Sequence, residues 1–393
     1  MPARDVADAQ LVAELEMLRQ RIEQLEIWQR QLTSMPSSSS PSQPLTGRAA
    51  PDQPSIFVSI ASYCDPALPR TLNDCIANAQ YPQRLRFGVC WQYDSQRPVD
   101  VTPFQRDKRF RFVTYPIEES QGGTWARSIA QQFWDGEAYT LQIDSHSKFE
   151  PGWDSTLIGM LRSMPSDKPL LTINSPLFWY DEQGHLHRQT DKGIRGTKVT
   201  SWHSGDGWAP WFDWGIPIDQ RPAHNRFISG NFVFTLGQWN VEVPQDPEHY
   251  YWGEEFNLTV RTYTHGYDLF LPTEIAVWHM LHQEAPPRRH WEHGEAVVQG
   301  KNRVAYQRLH WLLYSDDDGD QEKLGPFGLG RQRSKRDYER YAGMDFKSKR
   351  AHPDVYTGAC PDPVTIRSED DWQHCLTFAE YERFRKLSAA SST

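Results

Sequence analysis

The sequence lacks several features that mark common protein classes. No apolar run reaches about 18 residues and the mean hydropathy is -0.71, so the sequence offers no candidate membrane span. There is no basic excess, because 42 Lys plus Arg face 51 Asp plus Glu and the net charge is -9. That charge balance argues against a protein whose main function is to bind nucleic acid. The first residues, MPARDVADAQ, lack the apolar stretch of a secretory signal.

Cysteine is also scarce, with 5 among 393 residues and no C-x-x-C pair. An odd, small number fits reduced thiols better than a disulfide framework, so we expect a cytoplasmic protein. Tryptophan and proline, in contrast, are abundant, with 16 and 28 residues. This composition is typical of loop-rich proteins with aromatic-lined grooves, such as those that handle sugars, although tryptophan also serves core packing.

The first 55 residues differ from the rest of the chain. Residues 8–33 predict one helix, and residues 35–55 form a Ser/Pro-rich linker that nearly lacks apolar side chains. The helix has an apolar stripe at heptad spacing, made by Leu11, Leu15, Leu18, Ile22 and Leu25. The stripe either packs on the chain's own body or joins copies of the protein. A lone helix of this length is marginal in water, and the linker has little to hold it near the body, which makes a homo-oligomer plausible.

From Ile56 onward strands and helices alternate, which predicts an α/β fold with a mostly parallel central sheet. We expect a domain at 56–345, with a tail at 346–393 that packs on it. Ligands of such sheets bind beyond the carboxyl ends of the strands. Residues 178–227 have weak periodicity and are interpreted as a long insertion beside the site. The predicted strands are Ile56–Tyr63, Leu85–Tyr93, Arg109–Ile117, Tyr139–Ile143, Leu170–Asn174, Phe227–Leu236, Gly266–Leu271 and Ala276–Met280; the helices are Leu68–Ala79, Thr124–Trp134, Trp153–Leu161 and Trp252–Tyr263.

One short motif, Asp144-x-His146, indicates metal chemistry. It follows a predicted buried strand, and on extended chain the side chains at i and i+2 point the same way. A carboxylate and an imidazole there suit Mn²⁺ or a similar divalent cation, which can neutralise the two phosphates of a nucleotide-sugar. We choose His279 as the third ligand, with His282 as the competitor. A core histidine hydrogen-bonded to backbone explains His279 equally well at this stage.

Seven blocks of sequence, in order over roughly Ile56 to Gly343, resemble the GlcNAc-transferase family. Its best-known members add α-GlcNAc to hydroxyproline or to mucin-type threonine of proteins. The resemblance implies a GT-A nucleotide-sugar fold, UDP-GlcNAc as donor, a divalent metal and retention of anomeric configuration. It also identifies Asp144-x-His146 as the family's metal motif, completed by a late histidine, which supports His279. The blocks are SIASYCDP, RLRFGVCWQYD, GGTWARSIAQQFW, YTLQIDSHSKFEPGWD, FISGNFVF, YYWGEEFNLTVRTYTHGYDLFLPTEIAVWH and GLGRQRSKRDYERYAG.

Within these blocks, Ser62, Asp65 and Asp94 at strand ends are candidate donor-binding residues. Asp65 and Asp94 either hydrogen-bond uracil or ribose, or form turns. Arg127 and Trp125 lie in the helix opened by Gly122-Gly123, whose amino end can receive a diphosphate. We expect Arg127 to bind phosphate, with an ordinary surface arginine as the alternative. We expect Trp125 either to stack on the sugar or base, or to pack.

Three further residues complete the expected site. Gly230 either lets backbone approach the sugar or forms a bulge. Glu254 and Glu255 begin a helix, where carboxylates are favourable in any protein. We expect one of them to be catalytic by holding the acceptor hydroxyl or a GlcNAc hydroxyl. A leaving phosphate oxygen can itself take the acceptor proton in a retaining reaction, so neither carboxylate is assigned as a general base.

The sequence therefore predicts a metal-dependent transferase that moves GlcNAc from UDP-GlcNAc to a hydroxyl of a protein or glycan. Two alternatives stay open. One is an inverting sugar transferase for a surface polysaccharide, and the other is a non-catalytic carbohydrate-binding protein on a degenerate transferase fold.

Overall fold

The structure is a computed structural model, and it describes residues 54–191, 193–202, 209–281, 295–315 and 318–390. All of them belong to Gln53–Thr393, the second of two units into which the chain divides. The predicted helix at 8–33, its linker and the alternative ligand His282 lie outside the described residues. Within the described ranges, no helix is both long enough and apolar enough to cross a bilayer.

A seven-stranded sheet organises this unit, in the order β12-β6-β11-β4-β1-β2-β3. Strands β4, β1, β2 and β3 are parallel neighbours, as are β12 and β6, whereas β11 runs antiparallel to both β4 and β6. The expected α/β class with a mostly parallel sheet is confirmed, and β11 makes the sheet mixed. The strand bounds are β1 Ile56–Tyr63, β2 Leu85–Tyr93, β3 Phe110–Pro116, β4 Tyr139–Asp144, β6 Pro169–Thr172, β11 Phe232–Leu236 and β12 Asp268–Phe270.

Helices cover both faces of this sheet. On one face, Leu72 of α1 and Leu157 of α4 pack against the buried β-branched residues of β1. On the other face, α3 packs against Cys90 through Ala126. A methyl group on Gly88 of β2 would lie 2.6 Å from the carbonyl oxygen of Ala130, so glycine is what lets α3 approach the sheet. The helix bounds to this point are α1 Leu68–Asn78, α2 Thr102–Gln105, α3 Gly123–Gln131, α4 Trp153–Ser163, α5 Trp239–Glu242 and α6 Glu254–Thr264.

The described residues of the segment interpreted as a long insertion, 178–227, include strands despite its weak periodicity. β7 (Leu177–Tyr180) and β8 (Leu186–Arg188) form a hairpin, and β9 (Arg195–Trp202) and β10 (Pro210–Pro217) form a second antiparallel pair. Strand β13 (Val277–Met280) lies between β7 and β5 (Ser147–Phe149) in a second sheet of order β5-β13-β7-β8. Because several of these strands are only 3 or 4 residues long, they are too short to show a clear period.

The C-terminal part of the chain packs against the β9–β10 region and α6, sharing a core with Val199, Phe256 and Tyr338. Arg226, only 2 % exposed, ties this region together. Its guanidinium donates to the carbonyls of Ala342 and Ala359 and to the hydroxyl of Thr365. The remaining elements are α7 Glu295–Leu313, α8 Asp318–Leu324, α9 Lys335–Ala342, β14 Met344–Asp345, β15 Arg350–Ala351, α10 Pro353–Thr357 and α11 Phe378–Ala390.

Candidate metal and donor site

Three side chains converge where β4 ends. Asp144 is the last residue of β4, His146 precedes β5, and His279 lies on β13, which pairs with β5. The Nε2 atoms of the two histidines are 2.9 Å apart, and Nε2 of His279 is 3.3 Å from Oδ2 of Asp144. One ligand atom from each of the three residues lies within 4.8 Å of the others. The structure thus brings together the three residues expected to be metal ligands.

The donor set fits a divalent cation. One carboxylate oxygen and two imidazole nitrogens suit Mn²⁺ and similar cations. Ligand atoms held about 2.1 Å from one ion at right angles are about 3 Å apart, which is close to the separations of 2.9 and 3.3 Å. The third separation, 4.0 Å between Nε2 of His146 and Oδ2 of Asp144, requires a wider angle at a shared ion.

Arg127 fixes the orientation of Asp144. Its Nη2 donates to Oδ1 of Asp144 at 2.8 Å, and its Nη1 donates to the carbonyl of Gly230 at 2.7 Å. Nη1 also lies 2.9 Å from Oε1 of Glu254. Burial alone would raise the pKa of Asp144, but the hydrogen bond with His279 and the charge of Arg127 outweigh it and hold that pKa well below its ordinary value. Oδ1 is therefore bound by Arg127, which leaves the ionised Oδ2 facing the histidines.

Gly230 makes room for this arginine. A methyl group at Gly230 would lie 2.5 Å from Nη1 of Arg127. The backbone N–H of Gly230 donates to Oε1 of Glu255 at 2.6 Å, and its carbonyl accepts from Arg127. The close approach that this glycine permits in the structure is to the guanidinium, a role beside the two expected for it, an approach to the sugar or a bulge.

The two glutamates at the amino end of α6 have different surroundings. Glu254 is 9 % exposed, and within the described residues its Oε1 accepts no aligned hydrogen bond despite the nearby guanidinium. Burial raises the pKa of Glu254, although the charge of Arg127 opposes the shift. Burial also raises the pKa of Glu255 to about 7, against the hydrogen bond from Gly230. Glu255 is thus bound to the Ser229–Gly230 turn, whereas Glu254 is ion-paired with Arg127, which also binds Asp144.

Asp65 lies at the end of β1 and faces inward, and its contact with Ala67 two residues on forms a turn, the second of its two expected roles. It is 1 % exposed. Its Oδ2 accepts from the hydroxyl of Ser145 at 2.6 Å and contacts Nδ1 of His146 at 2.6 Å, while Oδ1 accepts the N–H of Ala67 at 2.9 Å. Every oxygen of this carboxylate is therefore already bound by the protein.

Two further expected donor-binding residues are also buried. Ser62 has no exposed surface, because it continues the inward-facing series of Val58 and Ile60 along β1. Trp125 is 7 % exposed and packs on Tyr115, with ring centroids 4.9 Å apart, so the packing alternative applies. Asp94 is half-buried at the end of β2, and its Oδ1 accepts the N–H of Gln96, which forms a turn.

Two residues near the site were missed by sequence reasoning. Ser145, between the two ligands of the motif, bonds to Asp65. Tyr251 lies near Glu254 and Glu255, and burial raises its pKa to about 12, with their charges adding to the shift. Both residues could have been found from their positions in the sequence. Ser145 is the middle residue of the Asp144-x-His146 motif, and Tyr251 directly precedes the WGEE sequence.

Comparisons with known proteins identify the family. Residues 55–104 and 96–348 match the model of the family described as Glycosyltransferase (GlcNAc). No curated protein matches the chain. Among solved structures, the crystal structure of GalNAc-T7 with UDP, GalNAc and Mn²⁺ aligns with a TM-score of 0.48 and 13 % identity over 71 % of this chain and 56 % of that one.

A second structure, S. aureus TarS 1-349 in complex with UDP-GlcNAc, aligns with a TM-score of 0.34 and 12 % identity over 69 % of this chain and 76 % of that one. The chain thus spans little more than half of GalNAc-T7. Since both scores are below 0.5, the assignment rests on the family model, which covers most of the chain. It confirms the resemblance found in the sequence: the chain belongs to the GlcNAc glycosyltransferase family and is a glycosyltransferase.

Proposed function

We propose that this glycosyltransferase has the GT-A fold and moves GlcNAc from UDP-GlcNAc to a hydroxyl of a protein or glycan, with retention of configuration. One observation carries the proposal: Asp144, His146 and His279 converge at the carboxyl end of a parallel strand in a chain whose residues 55–348 match the family. Ligands of open α/β sheets bind at that edge.

In this proposal, Asp144, His146 and His279 hold a divalent cation, with Mn²⁺ as our choice. When bound, the ion supplies positive charge that stabilises a leaving diphosphate. Asp144 is ready for this role without rearrangement, because Arg127 already holds its other oxygen. The donor diphosphate approaches the amino end of α3, where backbone N–H groups and the helix dipole favour anions. Open space beside Gly123 supports that placement.

Arg127 and Glu254 have linked roles in the proposal. The guanidinium lies between two carboxylates, so we propose that it positions Asp144 and Glu254 in addition to meeting phosphate as first expected. Oε1 of Glu254 is buried and receives no aligned hydrogen bond in the described part of the chain, so it can accept one from a sugar or acceptor hydroxyl. Glu255 then holds the Ser229–Gly230 turn in place.

The proton of the acceptor hydroxyl needs a destination in a retaining transfer. The raised pKa of Glu255 would make it a capable base, but its Oε1 is bound to Ser229 and Gly230. We therefore propose that a leaving phosphate oxygen takes the proton and that Glu254 orients the hydroxyl.

We further propose that 56–345 is the catalytic domain and that 346–393 packs on it. Residues 8–33, with the linker 35–55, would join copies of the protein. Light scattering on the whole chain and on residues 54–393 tests the last point, because loss of self-association on truncation is expected and equal mass per chain would contradict it.

The proposed reaction is tested with a panel of UDP-, GDP- and CMP-sugars and Mn²⁺, scored for donor hydrolysis. We expect hydrolysis of UDP-GlcNAc, loss of it with excess chelator, and recovery when Mn²⁺ is restored. Full activity in chelator would refute the metal assignment. A preference for GDP- or CMP-sugars would refute the donor.

A further inference from the structure

Behind the three candidate metal ligands, Asp144, His146 and His279, lies a buried carboxylate that a bound substrate cannot reach. Asp65 follows β1 directly, and its side chain contacts the loop that carries His146. It is 81 residues from His146 in sequence, so the parallel pairing of β1 with β4 is what brings the two strand ends together. The role inferred for Asp65 rests on the proposed function, since it matters only if the three candidate ligands bind a metal.

The contact with Asp65 fixes the position of one proton of His146. An ionised carboxylate only accepts hydrogen bonds, so Oδ2 of Asp65, 2.6 Å from Nδ1 of His146, requires a proton on Nδ1. In the neutral imidazole, Nε2 is then the nitrogen that can bind a cation. Nε2 lies 2.9 Å from Nε2 of His279, on the side of the other two candidate ligands.

Asp65 is itself held rigidly. Oδ1 accepts the N–H of Ala67 at 2.9 Å, and Oδ2 accepts the hydroxyl of Ser145 at 2.6 Å. Because Ser145 lies between Asp144 and His146, the same carboxylate restrains the whole three-residue motif. Within the described residues no carboxylate contacts Nδ1 of His279. Of the two histidines, only His146 is therefore oriented by a carboxylate bound to Nδ1 in this part of the chain.

We propose that Asp65 is a positioning residue that holds His146 in its metal-binding tautomer and orientation, and thereby sets the affinity of the site for Mn²⁺. Outer carboxylates that bind a ligating histidine typically contribute about 10–100-fold in metal affinity. Asp65→Asn keeps the size of the side chain but removes its charge. Its amide can donate to Nδ1, and the proton then moves to Nε2, which cannot bind a cation in that form.

The experiment measures Mn²⁺ binding by calorimetric titration of the full-length protein in excess UDP, with no turnover required. Asp65→Asn is expected to weaken Mn²⁺ binding about 10–100-fold while leaving a folded protein by circular dichroism. UDP-GlcNAc hydrolysis by this variant should recover at high Mn²⁺, since the apparent KM for Mn²⁺ changes more than kcat.

Asp154→Asn is the matched control. Asp154 is also a buried carboxylate, 3 % exposed, and it accepts the backbone N–H groups of Gln80 and Tyr81 away from the metal group. Its loss should lower the melting temperature without changing Mn²⁺ affinity. If both variants weaken Mn²⁺ binding equally, Asp65 acts through general stability and the proposal is wrong.

A second variant keeps the test decisive if Asp65→Asn does not fold. Ser145→Ala removes one hydrogen bond from Oδ2 of Asp65 and should weaken Mn²⁺ binding less than Asp65→Asn; unchanged affinity would overturn the proposal. A wild-type protein that binds no Mn²⁺ would refute the proposed metal itself. Wild-type binding together with equal binding by a folded Asp65→Asn would refute only the positioning role.

Discussion

Charged side chains lie at both edges of the large sheet, the edge formed by the carboxyl ends of its strands and the edge formed by their amino ends. The surroundings of these charges differ between the two edges. At the carboxyl ends of β1 and β4, Arg127 bridges Asp144 and Glu254, which are 17 and 127 residues away and whose side chains are 25 % and 10 % exposed. At the amino ends of β2 and β3, a cavity of about 480 Å³ is lined by Arg86, Lys108 and Arg109.

The basic residues of the amino-end edge have partners close to the protein surface. Arg109 is paired with Asp107, two residues away, and Arg86 donates to the carbonyl of Gln83. Arg111 is paired with Asp135, and more than half of each side chain is exposed. The two edges thus differ in burial, because the Arg111–Asp135 pair is exposed whereas the side chains of Arg127 and Glu254 are only 12 % and 10 % exposed.

The sharpest test of this contrast is Asp144→Asn. It removes the anionic ligand, so we expect UDP-GlcNAc hydrolysis to fall about 100-fold or more, since an unstabilised leaving diphosphate costs several kcal/mol. The control is Asp135→Asn at the opposite edge, where the carboxylate also pairs with an arginine but is 69 % exposed. Comparable losses in the two variants would abolish the distinction between the edges.

A smaller effect is expected from Gly230→Ala. The added methyl group would lie 2.5 Å from Nη1 of Arg127, so the guanidinium must move and release Asp144. We expect about a tenfold loss of hydrolysis and weaker Mn²⁺ binding, an estimate that corresponds to about 1.4 kcal/mol. Gly159→Ala is the matched control, because open space surrounds that helical glycine and alanine favours a helix. Unchanged kinetics in Gly230→Ala would show that hydrolysis does not depend on the present position of the Arg127 guanidinium.

Glu255 gives the carboxyl-end edge a pH dependence of stability. Its pKa of about 7 lies above the ordinary value of 4.5, so the folded state binds the proton more tightly than the unfolded state. The resulting stabilisation is complete below about pH 4.5 and is lost as the pH rises through about 7, by roughly 1–3 kcal/mol. Glu255→Gln should remove this part of the slope in urea unfolding measured from pH 5 to 8. An identical slope in both proteins would contradict the assignment.

The smallest effect is expected at the amino-end edge. Arg109→Ala breaks a partly exposed ion pair whose contribution to stability is typically below about 1 kcal/mol. We expect a slightly lower melting temperature by differential scanning fluorimetry and unchanged UDP-GlcNAc hydrolysis. A large loss of hydrolysis would assign this edge a part in the reaction.

The sequence predicted the framework of the molecule well. The strands of the parallel core were found because they are continuous apolar runs, and β1 and β2 have the predicted bounds. The proximity of Asp144 and His146 could be predicted, because two residues that are two positions apart at the end of one strand are close whatever the rest of the fold. His279, 135 residues from Asp144, was chosen because it lies in a predicted short strand, and the family resemblance supported that choice.

The inner supports of the site could not be predicted in the same way. Asp65 and Asp94 have the same appearance in sequence, since both follow a buried strand, but only Asp65 is covered and bonded to His146. That difference arises from which strands become neighbours. The burial of Ser62, in contrast, was available from the alternation of Val58 and Ile60 along β1. Short strands such as β7 and β8 are specified by their neighbours rather than by local pattern.

The buried guanidinium of Arg226 has a consequence for biosynthesis. Its partners belong to Ala342, Ala359 and Thr365, more than 110 residues later in the chain. While those residues are still inside the ribosome, a collapsed sheet would contain a cation with its hydrogen bonds unmade, which costs several kcal/mol. We therefore expect the nascent enzyme to reach its protease-resistant state only after Thr365 has emerged. Pulse proteolysis of ribosome-bound chains of increasing length measures this, and protection of chains that end before Ala342 would contradict it.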